Sequence, residues 1–339
     1  MKMKYLSALA IGGLLFSACG KDPVVVQPQN NTQQFELYID YWNPSGTNPQ
    51  ITFDAVNSST EVKIDFTKNF TGIAVPPQYT NVIIDNVRII NEQNTNFEIS
   101  EIKAYEWRED INDWKNDVEF VMNYEQVQDL NVMMVLDASS SLGSDFDNIK
   151  SFSNDFVSKV LNDNPTAKIG VVSFSDVINS MPLTSDPNTI SNYIDGIQQG
   201  PFTSLYEAMN TGVDSLLSHN AESRAILTFT DGTDNNSNPS YTPAYLKNKL
   251  ENNPSGILIN SFTIGLEGNG GVDRTILEDL AINGGVAEFP SSISGLRSVF
   301  EKFSSSISNV YNFTYVRNQQ PISGNAPVKL KFVIKATPK

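Results

Sequence analysis

The chain has 339 residues, 40% of them hydrophobic and 18% charged, enough apolar material to bury sizeable cores in more than one domain. Its 38 acidic residues against 23 basic ones give a formal net charge of -15, which argues against a nucleic-acid binder, because affinity for phosphates needs a basic surface. One cysteine, Cys19, and one histidine, His219, exclude an internal disulfide and leave little for thiol or imidazole chemistry.

The first segment, MKMKYLSALAIGGLLFSACGKD, opens on Lys2 and Lys4, runs apolar from Tyr5 to Phe16 and ends on Ser17, Ala18 and Cys19. That run is too short to span a bilayer comfortably and has the layout of a secretory signal over residues 1–18. The ending FSAC resembles a bacterial lipoprotein signal, with Phe16 standing where leucine is usual. The resemblance implies that Cys19 becomes the lipidated first residue of the mature protein, held by several acyl chains where one would not suffice. Gly20 stands where an aspartate is associated in some bacteria with inner-membrane retention, and Lys21-Asp22 resembles the export signals of surface lipoproteins in the Bacteroidetes. The expectation is an outer-membrane lipoprotein facing the periplasm or the cell surface.

Residues 19–34 hold the lipidated cysteine and a segment rich in Pro, Gln and Asn, which reads as a tether. From Phe35 the pattern turns to period two: Phe35, Leu37, Ile39 and Tyr41 share one face, and EVKIDF, NVIIDNVRII and FEISEIKAYEW continue it. Short strands punctuated by Asn-Pro-Ser-Gly and Val-Pro-Pro predict a small β-sandwich over residues 35–128.

After residue 129 strands alternate with helices. VMMVL is a continuous apolar run, as in a strand buried on both faces, and a helix is predicted from about Phe146 to Leu161. KIGVVSF, RAILTF, GILINSFTIG and GVAEF read as further strands. TISNYIDGI, SLYEAMNTGVDSLLSH, TPAYLKNKLENN, DRTILEDLAI and ISGLRSVFEKFSSSISNVY read as helices. This alternation predicts an α/β fold, a doubly wound and mostly parallel sheet over residues 129–310 with helices on both faces. Residues 311–339 return to period two in NFTYVRNQ and VKLKFVIKA, strands expected to complete the β-rich domain.

Three loops fall at the predicted carboxyl edge of the sheet, where ligands bind in folds of this kind. They are DASSS with Asp137, Ser139 and Ser141, GPFTSLYEAM with Thr203, and ILTFTDGTDNN with Asp231. Two carboxylates and three hydroxyls, with no imidazole or thiolate, suit a hard divalent cation.

The three motifs in this order resemble the metal-ion-dependent adhesion site of the von Willebrand factor A domain family. The family pattern is Asp-x-Ser-x-Ser, then Thr, then Asp-Gly, met here by Asp137-Ala-Ser139-Ser-Ser141, Thr203 and Asp231-Gly232. The resemblance covers roughly residues 129–310. It implies Mg2+, with Mn2+ or Ca2+ as alternatives, touched by Ser139, Ser141 and Thr203 directly or through water. Asp137 and Asp231 would hold coordinating waters and balance charge. A protein partner would add an Asp or Glu to the shell. The sequence departs from the pattern at GPFT, where the family often has Gly-Gly-Thr.

Alternatives stay open beside this. Taken singly, Asp231-Gly232 is a turn pair, and Ser139, Ser141 and Thr203 are helix caps. Asp145 and Asp147 suggest a second cation site or, more simply, acids favoured by a helix dipole. DGTDNNSN lacks the spacing and closing Glu of an EF-hand loop and reads as a polar surface loop. No GxGxxG or GxxxxGK[ST] loop is present, so no nucleotide is expected. A Ser-His-Asp hydrolase would need His219 beside Ser139 or Ser141, whereas a His at a helix end reads as a dipole contact. The expectation is a non-enzymatic adhesion or recognition module of the envelope, or else a periplasmic scaffold subunit.

Overall fold

The computed structural model describes residues 32–43, 50–54, 61–65, 80–89, 97–116, 121–253, 258–267, 271–317 and 324–338. Thr32–Lys339 form one compact unit. The expected signal, Cys19 and most of the tether lie outside the described residues.

In chain order the first strands are β1 (Gln33–Asn43), β2 (Gln50–Asp54), β3 (Glu61–Asp65), β4 (Thr80–Val87), β5 (Phe97–Arg108), β6 (Asp113–Asn116) and β7 (Val121–Gln126). The α/β part follows as β8 (Leu130–Asp137), α1 (Phe146–Asp163), β9 (Lys168–Phe174), β10 (Ile178–Thr184), α2 (Pro187–Gly196), α3 (Leu205–Leu217) and β11 (Ser223–Thr230). It continues as α4 (Pro243–Glu251), β12 (Ile259–Gly265), α5 (Arg274–Leu280), β13 (Ala287–Glu288) and α6 (Ile293–Ser308), before β14 (Tyr311–Arg317) and β15 (Gly324–Pro338).

The α/β sheet has the order β10-β9-β8-β11-β12-β13. Its strands are parallel except β10, which pairs antiparallel with β9. Every residue of β8, β11 and β12 is buried, which explains their unbroken apolar runs. One face packs Phe156, Val160, Phe300 and Phe303 of α1 and α6 onto the sheet. The other packs Met209 and Val213 of α3 with Leu246 of α4 and Leu277 of α5. The expected fold class is therefore the observed one.

Strand β10 was not among the expected elements. Only Met181 of its seven residues is buried, and an edge strand with one inward side chain leaves no alternation to read.

The remaining strands form two antiparallel sheets, β2-β1-β15-β5-β6 and β3-β4-β14-β7. Leu37 and Ile39 of β1, Ile84 of β4, Phe313 and Tyr315 of β14 and Phe332 of β15 share one apolar cluster, the core of a sandwich. The last two strands of the chain thus pair with the first ones, and β8 through α6 run between β7 and β14, which are neighbours in one sheet.

A buried arginine joins sandwich and α/β sheet. Arg88, just past β4, donates from Nε to Ser306 O near the end of α6 at 3.0 Å and from Nη2 to Asn260 Oδ1 of β12 at 2.6 Å. Burial lowers its pKa from 12.5 to about 10.

Candidate functional site

The chain runs from β8 to β9 on one side and later enters β11 on the other side of β8, so the crevice between β8 and β11 is a topological switch point. Leu136 and Phe229 are level in the parallel ladder, which brings Asp137 and Thr230, the last residues of their strands, to the carboxyl edge together.

Asp137, Ser139, Thr203 and Asp231 are all buried there. The backbone N–H of Ser139 donates to Asp137 Oδ1 at 2.8 Å, and Thr230 Oγ1 donates to Asp137 Oδ2 at 2.6 Å. The hydroxyls of Ser139 and Ser141 lie 2.8 Å apart. Both donate to one oxygen, Asp231 Oδ1, at 3.3 Å from Ser139 and 2.9 Å from Ser141. Alternate spacing in DASSS puts both serine hydroxyls on the same carboxylate, across 90 residues or more of chain. Ser141 is exposed, so the group opens to solvent on its side.

Thr203 arrives on a third loop. Gly200 forms a parallel bridge with Ser139, its N–H donating to Ala138 O at 3.0 Å and its carbonyl accepting from Ser140 N at 2.9 Å. A side-chain carbon on Gly200 would lie 2.5 Å from Ser175 Oγ and 2.6 Å from Asp176 Oδ1, so a larger residue would have to push those side chains aside where this loop meets the β9–β10 turn. Pro201 then precedes Phe202, whose φ is 65°. Proline followed by a left-handed residue is the arrangement of a type II turn, whose third position ordinarily takes Gly or Asn. A phenylalanine there costs about 1–2 kcal/mol.

Thr203 is clamped by Asn235, whose side-chain Oδ1 accepts from Thr203 N at 2.8 Å and whose N–H donates to Thr203 O at 3.0 Å. Its hydroxyl Oγ1 lies 3.7 Å from where a side-chain carbon on Gly232 would stand, facing the Asp231-Gly232 segment. Among the described hydrogen bonds that hydroxyl makes none to the other four residues. The structure thus links Asp137, Ser139, Ser141 and Asp231 directly and brings Thr203 beside them.

The loop after Asp231 is more than a polar surface loop. Ser204, the cap residue of α3, makes no side-chain cap bond. Asp234 Oδ2 accepts instead from Tyr206 N at 3.1 Å, and Ser237 Oγ from Glu207 N at 3.0 Å. Two donors of the helix N-terminus are thereby satisfied from a different loop.

Burial raises the pKa of Asp137 from 3.8 to about 6, the bonds from Thr230 and Ser139 oppose this, and the charge of Asp231 adds to it. Burial raises Asp231 as well, against the serine hydroxyls. Among the described residues no lysine or arginine pairs with either carboxylate. Nor do three His, Cys, Asp or Glu side chains gather into one metal-binding group. The donor set is instead two buried carboxylates with hydroxyls on them, all oxygen and short of positive charge, which fits a hard divalent cation. An open cleft of about 220 Å³ borders the group, lined by Ser141, Asp145, Asp231, Glu267, Ser292 and Ile293. Asp147 sits in the first turn of α1.

His219 stands beyond the opposite end of α3, with Nδ1 2.8 Å from Ser215 O. The 13 residues of α3 put about 20 Å between it and the Thr203 end. Neither Ser139 nor Ser141 is within its reach.

Sequence reasoning passed over Thr230, Asp234 and Asn235. Thr230 had a usable signal, a hydroxyl at a strand end immediately before Asp-Gly; Asn235 had none.

The family model of the von Willebrand factor type A domain matches residues 131–302. Among solved structures the chain resembles proximal thread matrix protein 1 from the mussel byssus, with zinc in its MIDAS motif, at 19% identity and a TM-score of 0.47 over 57% of this chain and 49% of that one. It thus spans about half the length of the mussel protein. It resembles the vWF domain of the type V pili tip protein Mfa5 from Porphyromonas gingivalis at 14% identity and a TM-score of 0.41, over 54% of this chain and 96% of that one. A von Willebrand factor type A protein from Catenulispora acidiphila aligns at 10% identity and a TM-score of 0.46, over 88% of this chain and 68% of that one. No curated protein matches the chain.

Proposed function

The chain belongs to the von Willebrand factor type A domain family, and from that premise we propose that it is a metal-dependent protein-recognition module of the bacterial envelope. The observation that carries this reading is the meeting of Ser139, Ser141 and Asp231 oxygens within 3.3 Å of one another, beside a buried Asp137.

In this reading Ser139, Ser141 and Thr203 hold a divalent cation, Mg2+ first, while Asp137 and Asp231 orient its waters and balance its charge. A cation held there would supply Lewis acidity toward an acidic side chain of a partner. Thr230 and the Ser139 N–H fix Asp137 by engaging both of its oxygens. Asn235 holds Thr203, and the exposed side of Ser141 leaves room for the partner. Cys19 would anchor the body to the outer membrane by lipid, and no helix of the described residues is long and apolar enough to cross a membrane.

The hydrolase alternative finds no support in the position of His219. A scaffold subunit inside the envelope would use the same site; protease treatment of intact cells separates the two, since a surface adhesin is cut and a periplasmic subunit is not.

The test is calorimetric titration of Mg2+ and of Mn2+ into the purified protein and its Asp137→Ala and Ser141→Ala variants. The reading expects saturable binding by the wild type, weakened about tenfold or more in each variant. Ser141 is exposed, so its variant keeps the fold in question out of the answer. Equal binding by all three proteins, or none by the wild type, would sink the metal site.

A further inference from the structure

Next to Thr203 of the proposed metal site stands Phe202, 57% exposed, and on the β9–β10 turn bonded to the same loop stands a second solvent-facing apolar side chain, Val177, 55% exposed. Of the three non-glycine residues with positive φ among those described, two are asparagines, which tolerate that conformation, and the third is Phe202. Its ring belongs to none of the apolar clusters of the fold. The fold therefore gains little from a phenylalanine at a position where glycine would remove the strain. Strain kept beside a site is a mark of use rather than of packing.

The loop that carries the ring is rigid. Gly200 is tied to Ala138 and Ser140, Pro201 fixes its own φ, Thr203 is clamped by Asn235, and Ser204 N donates to Ser175 O at 3.2 Å. Ser175 N in turn donates to Val177 O, so the two apolar side chains sit on loops that are bonded to each other. A rigid apolar surface loses little entropy when a partner covers it.

We infer that Phe202 and Val177 are the apolar half of the recognition surface, and that the partner is a protein segment with an apolar side chain one or two residues from the acidic residue it offers to the cation. The inference rests on the metal-dependent reading above. Phe202 is the immediate chain neighbour of Thr203, and an extended peptide advances about 3.3 Å per residue, so the residues on either side of the acid are the ones to vary.

The experiment uses fluorescent peptides with blocked ends, Gly-Asp-Gly, Gly-Asp-Leu and Leu-Asp-Gly, and a short polygalacturonate that has carboxylates without apolar side chains. Each is titrated into Mg2+-loaded wild type, Phe202→Gly and Val177→Ser, with Mg2+ affinity measured alongside. At least one leucine peptide should bind the wild type on the order of fivefold more tightly than Gly-Asp-Gly, from the apolar area it buries. That preference should vanish in Phe202→Gly and shrink in Val177→Ser, with Mg2+ affinity unchanged within about twofold. Equal binding of all peptides by the Mg2+-loaded wild type, a preference that survives both substitutions, or tighter binding of polygalacturonate would overturn this inference alone. Absence of Mg2+ binding by the wild type would overturn the metal reading and this inference with it.

Discussion

Thr230 donates its hydroxyl to Asp137 Oδ2 at 2.6 Å, while the opposite oxygen of the same carboxylate takes the Ser139 N–H at 2.8 Å. A carboxylate held from both sides cannot turn, so its remaining lone pairs point one way. Replacing Thr230 by valine keeps the shape and removes the donor. The loss of a bond to a buried charge should destabilise the protein by about 2 kcal/mol and push the Asp137 pKa further up. Chemical denaturation and a pH series of Mg2+ titrations on Thr230→Val check both, and an unchanged midpoint would show that the bond contributes nothing.

The raised pKa of Asp137 makes a prediction about acid. A carboxyl whose folded pKa stands above its unfolded value contributes stability below the unfolded pKa and loses it as pH rises through the folded one. The displacement from 3.8 to about 6 corresponds to roughly 3 kcal/mol. In chelator, the stability of the wild type relative to Asp137→Asn should fall by up to that amount between pH 4 and about 7, with Mg2+ restoring it at neutral pH. A difference that stays flat across this window would count against a desolvated carboxyl.

The cap lent to α3 by another loop can be removed. Asp234→Ala leaves Tyr206 N without its acceptor and should cost about 1 kcal/mol, the usual loss for a cap. Because Asn235 next to it clamps Thr203, Mg2+ affinity should fall as well, though no proposed ligand is touched. Thermal denaturation and calorimetry on the same sample test the two effects separately.

Arg88 carries its charge wholly inside the protein, between Ser306 O and Asn260 Oδ1. Truncation to alanine removes both of these bonds and should cost about 3 kcal/mol. Native-state proteolysis should then cut near the end of α6 before it cuts the central strands. Cleavage in the reverse order would refute the idea that Arg88 joins the two parts.

What could be read in the sequence divides along physical lines. Strands β8, β11 and β12 were legible because burial on both faces demands unbroken apolar runs. The serines of DASSS were legible because alternate hydroxyls beside a carboxylate have no packing use at a strand end. Strand β10 was hidden because a solvent-facing edge asks for no pattern. Thr230 was legible in principle, as a hydroxyl at a strand end directly before Asp-Gly, but its role as the donor to Asp137 becomes visible only once its neighbour across the sheet is known. Asp234 and Asn235 were hidden because their partners, Tyr206 and Thr203, lie roughly 30 residues earlier, and polar loops carry no periodicity to announce such pairings.

The ladder between β7 and β14 places Gln126 opposite Tyr311, and Val127 N donates to Val310 O at 2.8 Å. The chain therefore leaves the sandwich and comes back at facing positions, as a hairpin does at its turn. The whole α/β body occupies the place of a β-turn. Excision of residues 128–309 with a two-residue Asn-Gly join would close β7 onto β14 without shifting the register of either strand. The sandwich is in that sense a socket, and its geometry would accept a different recognition body whose two ends lie one strand spacing apart.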